Sequence, residues 1–301
     1  MKGMISVIIP FYNSKEYANR LIDSILRQTY SNIEIIAIDD GSTDETADIL
    51  TDYAARDKRL LYIRQANSGA GVASNKGIEI AHGDYLTFAD HDDWIEPTAY
   101  EKLLNALENN DADMSVCNFN LVYDDHTENC YATMRNEAES IYDDVYGYFC
   151  KHCACPKPNN YTWTRLYKTK ILKNSGIRFE NFRLGSDTLL NFKLLPLLKR
   201  AAFINEGLYN YVQYSTSTVH RAAKIENLAV VYADGFDSLA NYYNDNGYKE
   251  FLDVLPIHAF TRLRSIFFYS RLAGLSDDAI AENVKIGFKD RQIAKYLTGG
   301  Y

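Results

Sequence analysis

The chain has 301 residues, enough for one large domain or for one plus a small second unit. With 47% hydrophobic and 24% charged residues it is composed like a globular protein, which excludes the disordered and fibrous classes. A net charge of −8 gives no overall attraction to nucleic acid or to an anionic membrane, so nucleic acid is not an expected partner. The apolar run after Met4 is too short for a signal-peptide core, and no window reaches the roughly 18 uninterrupted apolar residues of a membrane-spanning helix. A cytoplasmic protein is the expectation. Five cysteines without secretory context read as free thiols. Cys150, Cys153 and Cys155, with His152 among them, carry ligand chemistry but lack the two separated pairs usual for structural zinc.

In chain order, Ser6–Phe11 (SVIIPF) is apolar and β-branched and predicts a buried strand ended by Pro10 and Asn13. A helix is expected from about Lys15 to Thr29, with Tyr17, Leu21, Ile25 and Leu26 on one face. Ile33–Ile38 predicts a second strand, stopping at Asp39-Asp40-Gly41. Ser42 or Thr43 then caps a helix that runs to about Arg56. A third strand, Arg59–Arg64, leads through the Asn67–Gly71 turn into a helix carrying Val72, Ala73, Ile78 and Ile80. The fourth strand, Tyr85–Ala89, ends in Asp90, His91, Asp92 and Asp93. Three carboxylates at the end of an apolar strand need a cation, or else serve as the acidic start of the helix beginning near Pro97.

Strand–helix alternation at this spacing predicts an α/β fold with a mostly parallel sheet covered by helices on both faces. Ligands bind such sheets outside the carboxyl ends of their strands, where Pro10–Asn13, Asp39–Asp40 and Asp90–Asp93 all fall. The Gly69/Gly71 turn lacks the spacing of a dinucleotide fingerprint and the Gly-Lys-Ser/Thr ending of a phosphate loop.

Asp113–Val122 predicts a further strand, and Tyr123–Asn160 reads as a long polar excursion. From Trp163 to Tyr167 the chain predicts a strand or turn before a short helix ended by Asn174-Ser175-Gly176. Gly185-Ser186-Asp187 opens another helix, with Asp187 in its first turn, where the helix dipole favours an anion. Leu208–Tyr214 reads as an edge strand. From about Lys224 the pattern is helical, which predicts two parts: a domain over residues 1–220 and a helical extension over 221–301. Within the extension, residues 257–275 interleave Arg262, Arg264 and Arg271 with Phe260, Ile266, Phe267, Phe268 and Tyr269. That pattern fits a helix packed on the domain with its arginines in water, or a peripheral contact with the inner face of a membrane.

Taken together, SVIIPFYN at Ser6–Asn13, DDGSTD at Asp39–Asp44, Asn67-x-Gly69, Asn75-x-Gly77 and Asp90-x-Asp92-Asp93 resemble the family-two glycosyltransferases. The resemblance extends from Met4 to about Ser217. It implies a GT-A, Rossmann-like fold and an inverting transfer of a hexosyl or N-acetylhexosaminyl unit from a nucleotide-sugar, usually UDP-linked, to an acceptor hydroxyl. Surface polysaccharide or lipid-linked oligosaccharide synthesis is the implied setting. By match to the family's motifs, Asp92 is the implied ligand of Mn²⁺ or Mg²⁺, and Asp90 faces ribose or donor sugar. Asp40 and Tyr12 take the base, Pro10 lines its pocket, the Asn67–Gly71 turn with Asn67 and Gly69 closes over the nucleotide, and Asn13 and Asn75 are further implied nucleotide-sugar-binding residues. Asp187 is the implied general base. Arg165 in Trp163-Thr164-Arg165-Leu166-Tyr167 keeps the charge of a family Lys, and His220 and Arg221 are implied diphosphate contacts.

The chain departs from the family at Ser74, where Arg is frequent, and at Ser186, where Glu is usual. These departures keep a second reading in view, a nucleotide-sugar-binding module without catalysis. A nucleotidyltransferase would instead require a Gly-rich, cationic loop after the first strand, which Pro10-Phe11-Tyr12-Asn13 is not. Within the acidic motif His91 reads as a spacer and Asp93 as a helix cap.

Overall fold

The computed structural model describes residues 3–130, 139–148, 159–181, 185–214, 228–253, 255–256, 276 and 278. Its first half alternates strand and helix: β1 (Ile5–Phe11), α1 (Ala18–Leu26), β2 (Ile33–Asp39), α2 (Thr46–Arg56), β3 (Leu60–Arg64), α3 (Ala70–Ile80) and β4 (Tyr85–Phe88). β1 lies between β2 and β4 and pairs in parallel with both, Ile5 opposite Ile33 and Tyr85. Side chains alternate between the two faces of a strand. Ile5, Val7, Ile9 and Phe11 accordingly enter the core under α1, while Ile8 enters the one under α3. Both layers are buried, which is why β1 is apolar at every position but Ser6.

The second half adds β5 (Trp94–Ile95), α4 (Ala99–Asn109), β6 (Met114–Val122), β7 (Thr127–Cys130), β8 (Glu139–Tyr142) and α5 (Val145–Tyr148). After a 3-10 turn at Thr162–Thr164 come β9 (Arg165–Lys168), α6 (Thr169–Ser175), α7 (Ser186–Leu194), β10 (Ala201–Val212), α8 (Leu228–Asn246) and α9 (Lys249–Leu252). The sheet order is β3-β2-β1-β4-β9-β6-β10-β5, with β7 on β6 and β8 on β10. β9 runs antiparallel to both β4 and β6 and joins the parallel half to the rest. α8 packs over α7: the Tyr243 hydroxyl donates to the Phe192 carbonyl at 2.9 Å, and Gly235 leaves room for Leu189.

Four expectations change. Neither Ser42 nor Thr43 caps α2, whose N-cap position is Glu45. β10 is not an edge strand. It pairs with β6 along its length, with β8 at Ala201–Ile204 and with β5 at Tyr209–Asn210. Its register shifts on either side of Gly207, so the alternation breaks in mid-strand and only the second half is visible as a pattern. The Tyr123–Asn160 excursion contains β7, β8 and α5 in its described parts. Asp93 does not cap α4, whose N-cap position is Thr98. The cysteine cluster at Cys150–Cys155, His220, Arg221 and residues 257–275 lie outside the described residues. Cys117 is a buried free thiol pushed up to about 12 by burial, and so chemically quiet. No helix among the described residues is long and apolar enough to cross a membrane.

α3 crosses β1 so closely that a Cβ on Gly77 would stand 2.4 Å from Ile8 Cγ2. Gly77→Ala is therefore expected to destabilise the fold by about 1–3 kcal/mol despite the better helix propensity of Ala. Urea denaturation measures this, and an unchanged midpoint would refute it.

Candidate active site

All three polar strand ends lie on the carboxyl edge of the parallel strands. At the end of β2, Asp39 is fully buried and its carboxylate accepts from the Ser42 amide at 2.8 Å, with Arg64 Nε at 3.4 Å. Asp39 thus holds the turn. Asp40, next in the chain and 3% exposed, accepts from Gln65 Nε2 at 2.7 Å and the Ser68 amide at 2.9 Å on Oδ1, and from the Gly69 amide at 2.7 Å on Oδ2. A carboxylate offers about four lone-pair sites, so one acceptor position on Asp40 is left for a ligand. The loop can fold over Asp40 because Gly41 and Gly69 take positive φ, 79° and 95°, and because Gly41 has no Cβ to meet the Asn67 amide 2.8 Å away. Asn67 itself is exposed above that turn.

Asn13, at φ 49°, stitches the β1 and β2 ends together. Its amide donates to Ser42 Oγ at 3.0 Å, and its side-chain oxygen accepts from the Thr43 amide at 2.8 Å. Tyr12 beside it is 46% exposed, an aromatic face open to solvent at the rim. Asn75 is occupied by protein: its amide group donates to the Phe179 carbonyl and accepts from the Phe179 amide, each at 2.9 Å. It clamps the segment before α7 onto α3.

A cleft of about 50 Å³ is lined by Pro10, Ser74, Asp90, Thr162, Ser186 and Asp187, with Phe88 and Phe179 among its apolar walls. Three of the residues named from sequence, Pro10, Asp90 and Asp187, therefore meet in one place. So do the two departures, Ser74 and Ser186. Asp40, Asn13, Asn67 and Gly69 form a separate cluster at the β2 end. Arg165 lies in neither. It is 1% exposed, and its guanidinium donates to the carbonyls of Asn159 and Tyr161.

Asp90 opens to solvent at the mouth of the cleft, yet the protein packed around its carboxyl, then Asp187 and Asp92, push its titration well above the ordinary carboxylate range. Asp187 is half-buried and also raised, by burial. Its Oδ2 accepts from the Thr162 amide at 3.4 Å and from the Thr162 hydroxyl at 3.1 Å, which together with Arg165 partly offset that rise. His91 is lowered by burial.

Two further groups fix the acidic loop. Asp93 is fully buried and accepts from the Tyr209 hydroxyl and the Val212 amide, both at 2.8 Å. The same Tyr209 oxygen accepts from the Asp90 amide at 3.0 Å, so one hydroxyl ties both ends of the motif to β10. Tyr209 is itself stacked on Trp163 at 4.2 Å. Arg20, from α1, donates to the Asp92 carbonyl and to the Tyr214 hydroxyl. Tyr209 stood in a visible aromatic run and Thr162 beside a recognised tryptophan; nothing around Arg20 marked it.

Among the described residues no three metal-ligating side chains come together. The residues still fit a hard divalent cation, which takes one or two carboxylates and completes its shell from phosphate and water. The raised Asp90, with Asp92 as a like-charged neighbour, is the electrostatic state such a cation relieves.

Comparison with known proteins agrees with this architecture. Over 220 residues, 69% of this chain and 30% of that protein, the chain is 34% identical to the glycosyltransferase GlyA of Streptococcus pneumoniae serotype 4. It is 31% identical over 259 residues, 84% of this chain and 75% of that protein, to a Bacillus subtilis (strain 168) protein named Uncharacterized glycosyltransferase EpsJ. The chain thus spans under a third of GlyA and three quarters of EpsJ. Among solved structures, S. aureus TarS 1–349 in complex with UDP superposes with a TM-score of 0.60 at 18% identity, covering 99% of this chain and 90% of that one. Mannosyltransferase PcManGT from Pyrobaculum calidifontis, in complex with GDP-Man and Mn²⁺, gives 0.60 at 16% identity over 100% and 86%. These likenesses place the fold in the GT-A class. The model of glycosyl transferase family 2 matches residues 6–190, and the chain belongs to that family.

Proposed function

We propose that the chain is an inverting, metal-dependent glycosyltransferase. In this reading it moves a hexosyl or N-acetylhexosaminyl unit from a UDP-sugar to the hydroxyl of a saccharide or lipid-linked saccharide, on the cytoplasmic side of surface polysaccharide synthesis. The observation that carries this reading is the pairing of Asp90 with Asp187 across one cleft at the carboxyl edge of the sheet. The solved TarS complexes with UDP and UDP-GlcNAc support a UDP-linked donor by fold likeness.

The nucleotide extends from Asp40, whose remaining acceptor position suits the ring N–H of uracil, past Tyr12 to the cleft. Asp90 meets the ribose or the sugar. Asp187 takes the proton of the acceptor hydroxyl as its oxygen bonds to the anomeric carbon; the bond from that carbon to the diphosphate breaks, and its electron pair leaves with the nucleotide. Asp92 would hold Mn²⁺ or Mg²⁺, which when bound neutralises charge on the leaving diphosphate. A cleft of about 50 Å³ holds only part of such a ligand, so the rest of the donor lies over the Asp40 loop. Residues 221–301 are read as a helical extension of this catalytic unit, and His220 and Arg221 as diphosphate contacts.

Release of UDP from UDP-GlcNAc, UDP-Glc and UDP-Gal with Mn²⁺ tests the reading. Asp187→Asn is expected to bind UDP as wild type does and to turn over about 10²–10⁴-fold more slowly; turnover at the wild-type rate would remove the base assignment. Asp92→Asn is expected to lose the extra thermal stabilisation that UDP gains from Mn²⁺, and an undiminished shift would place the metal elsewhere. Because the Asp187 carboxyl is raised, its basic form is lost as pH falls through a range above the ordinary value of about 4. The acidic limb of kcat/KM should sit there, and a limb at or below the ordinary value would contradict it.

A further inference from the structure

Segment 159–164, regular only in the 3-10 turn at Thr162–Thr164, is tightly fixed. Asn159 Nδ2 donates to the Cys117 carbonyl at 2.8 Å, Asn191 Nδ2 donates to the Asn160 carbonyl at 2.7 Å, and the Thr164 hydroxyl donates to Asn159 Oδ1 at 2.8 Å. The buried guanidinium of Arg165 donates to the carbonyls of Asn159 and Tyr161, on the N-terminal side of Thr162, and to Thr164 Oγ1 at 3.2 Å on its other side. Thr162 is thereby held by its neighbours. It is 2% exposed and lines the cleft, and both of its donors point at one oxygen of Asp187. Among the described residues the other oxygen, Oδ1, has no donor.

We propose that Thr162 is the positioning residue of the catalytic base. By taking Oδ2 it fixes the rotation of the carboxylate and presents Oδ1 to the arriving acceptor hydroxyl. Arg165 acts one step further back, holding the backbone from which Thr162 reaches. This rests on the reading of Asp187 as the base. A carboxylate free to rotate presents a usable lone pair only part of the time, and reaction rates depend steeply on such alignment. The proton passes to Oδ1 and Thr162 keeps its own, so the residue is neither consumed nor changed in charge.

Thr162→Val keeps the shape and removes the hydroxyl; Thr162→Ser keeps the hydroxyl. With UDP-GlcNAc, UDP-Glc and UDP-Gal and Mn²⁺, Thr162→Val is expected to lower kcat about 10–100-fold with KM for the donor unchanged. Thr162→Ser should restore it to within a few-fold of wild type. A Val variant within twofold of wild type, or a Ser variant as slow as the Val variant, would overturn the proposal. If Asp187→Asn itself turns over normally, it is the base assignment that fails. Crystal structures of both variants decide the matter should none of the three sugars turn over. An Asp187 carboxylate rotated in the Val variant and unrotated in the Ser variant supports the proposal, and the same rotamer in both refutes it.

Discussion

Like charge concentrated at one sheet edge is the constraint on which this site depends. Asp90, Asp92, Asp93 and Asp187 converge where the parallel strands end, and neighbouring like charge adds to burial in raising Asp90 and Asp93. Asp93 is answered within the fold by a hydroxyl and an amide from β10, and Asp187 on one oxygen by the amide and hydroxyl of Thr162. For Asp90 the electrostatic neighbours add only like charge. The nearby cations make their hydrogen bonds elsewhere, Arg20 to a main-chain carbonyl and Arg165 into the protein behind Asp187, whose rise it only partly offsets. A protein that holds carboxylates in this state keeps a standing affinity for positive charge at the cleft mouth.

The site divides its labour between two rigid parts. The Asp40 corner is pre-formed, three hydrogen bonds fixing its carboxylate and leaving one acceptor position. The cleft is built from more distant pieces: β1, β4, α3, the 159–164 segment and the start of α7. Asn75, clamped on Phe179, fastens the second half of the chain to the first, and Thr162, against Asp187, ties two pieces of the second half together at the cleft. Residues that match the motifs thus contribute in two ways, some by facing the cleft and some by holding those that do.

The parallel half of the fold was legible because its physics is local. Strands buried on both faces are largely apolar, and β1 and β2 are, apart from Ser6, Glu34 and the terminal Asp39; the helices between them show one apolar face. The antiparallel half was less legible. β9 is four residues long and β5 two, too short for a periodic signal, and the register shifts around Gly207 hide the continuity of β10. The acidic motif, Asp40 and Asp187 could be found because charge at the end of an apolar strand, or at a helix start, is conspicuous. Asp93 was misread because its carboxylate stands where a cap would, and only the fold brings Tyr209 to it. Arg20 and Thr162 act through geometry that no spacing encodes.

Asp93 also links distant parts of the chain in time. Its partners at Tyr209 and Val212 lie 116 and 119 positions further on. In a polypeptide made from its N-terminus, β1 to β4 and the Asp40 corner are complete long before those partners exist. Until β10 is in place the Asp93 carboxylate has to remain in water, because burial without partners carries a heavy desolvation cost. A fragment ending short of β10 would possess the Asp40 corner but not a docked acidic loop. The order of synthesis therefore separates the Asp40 corner, formed early, from the acidic loop, docked late.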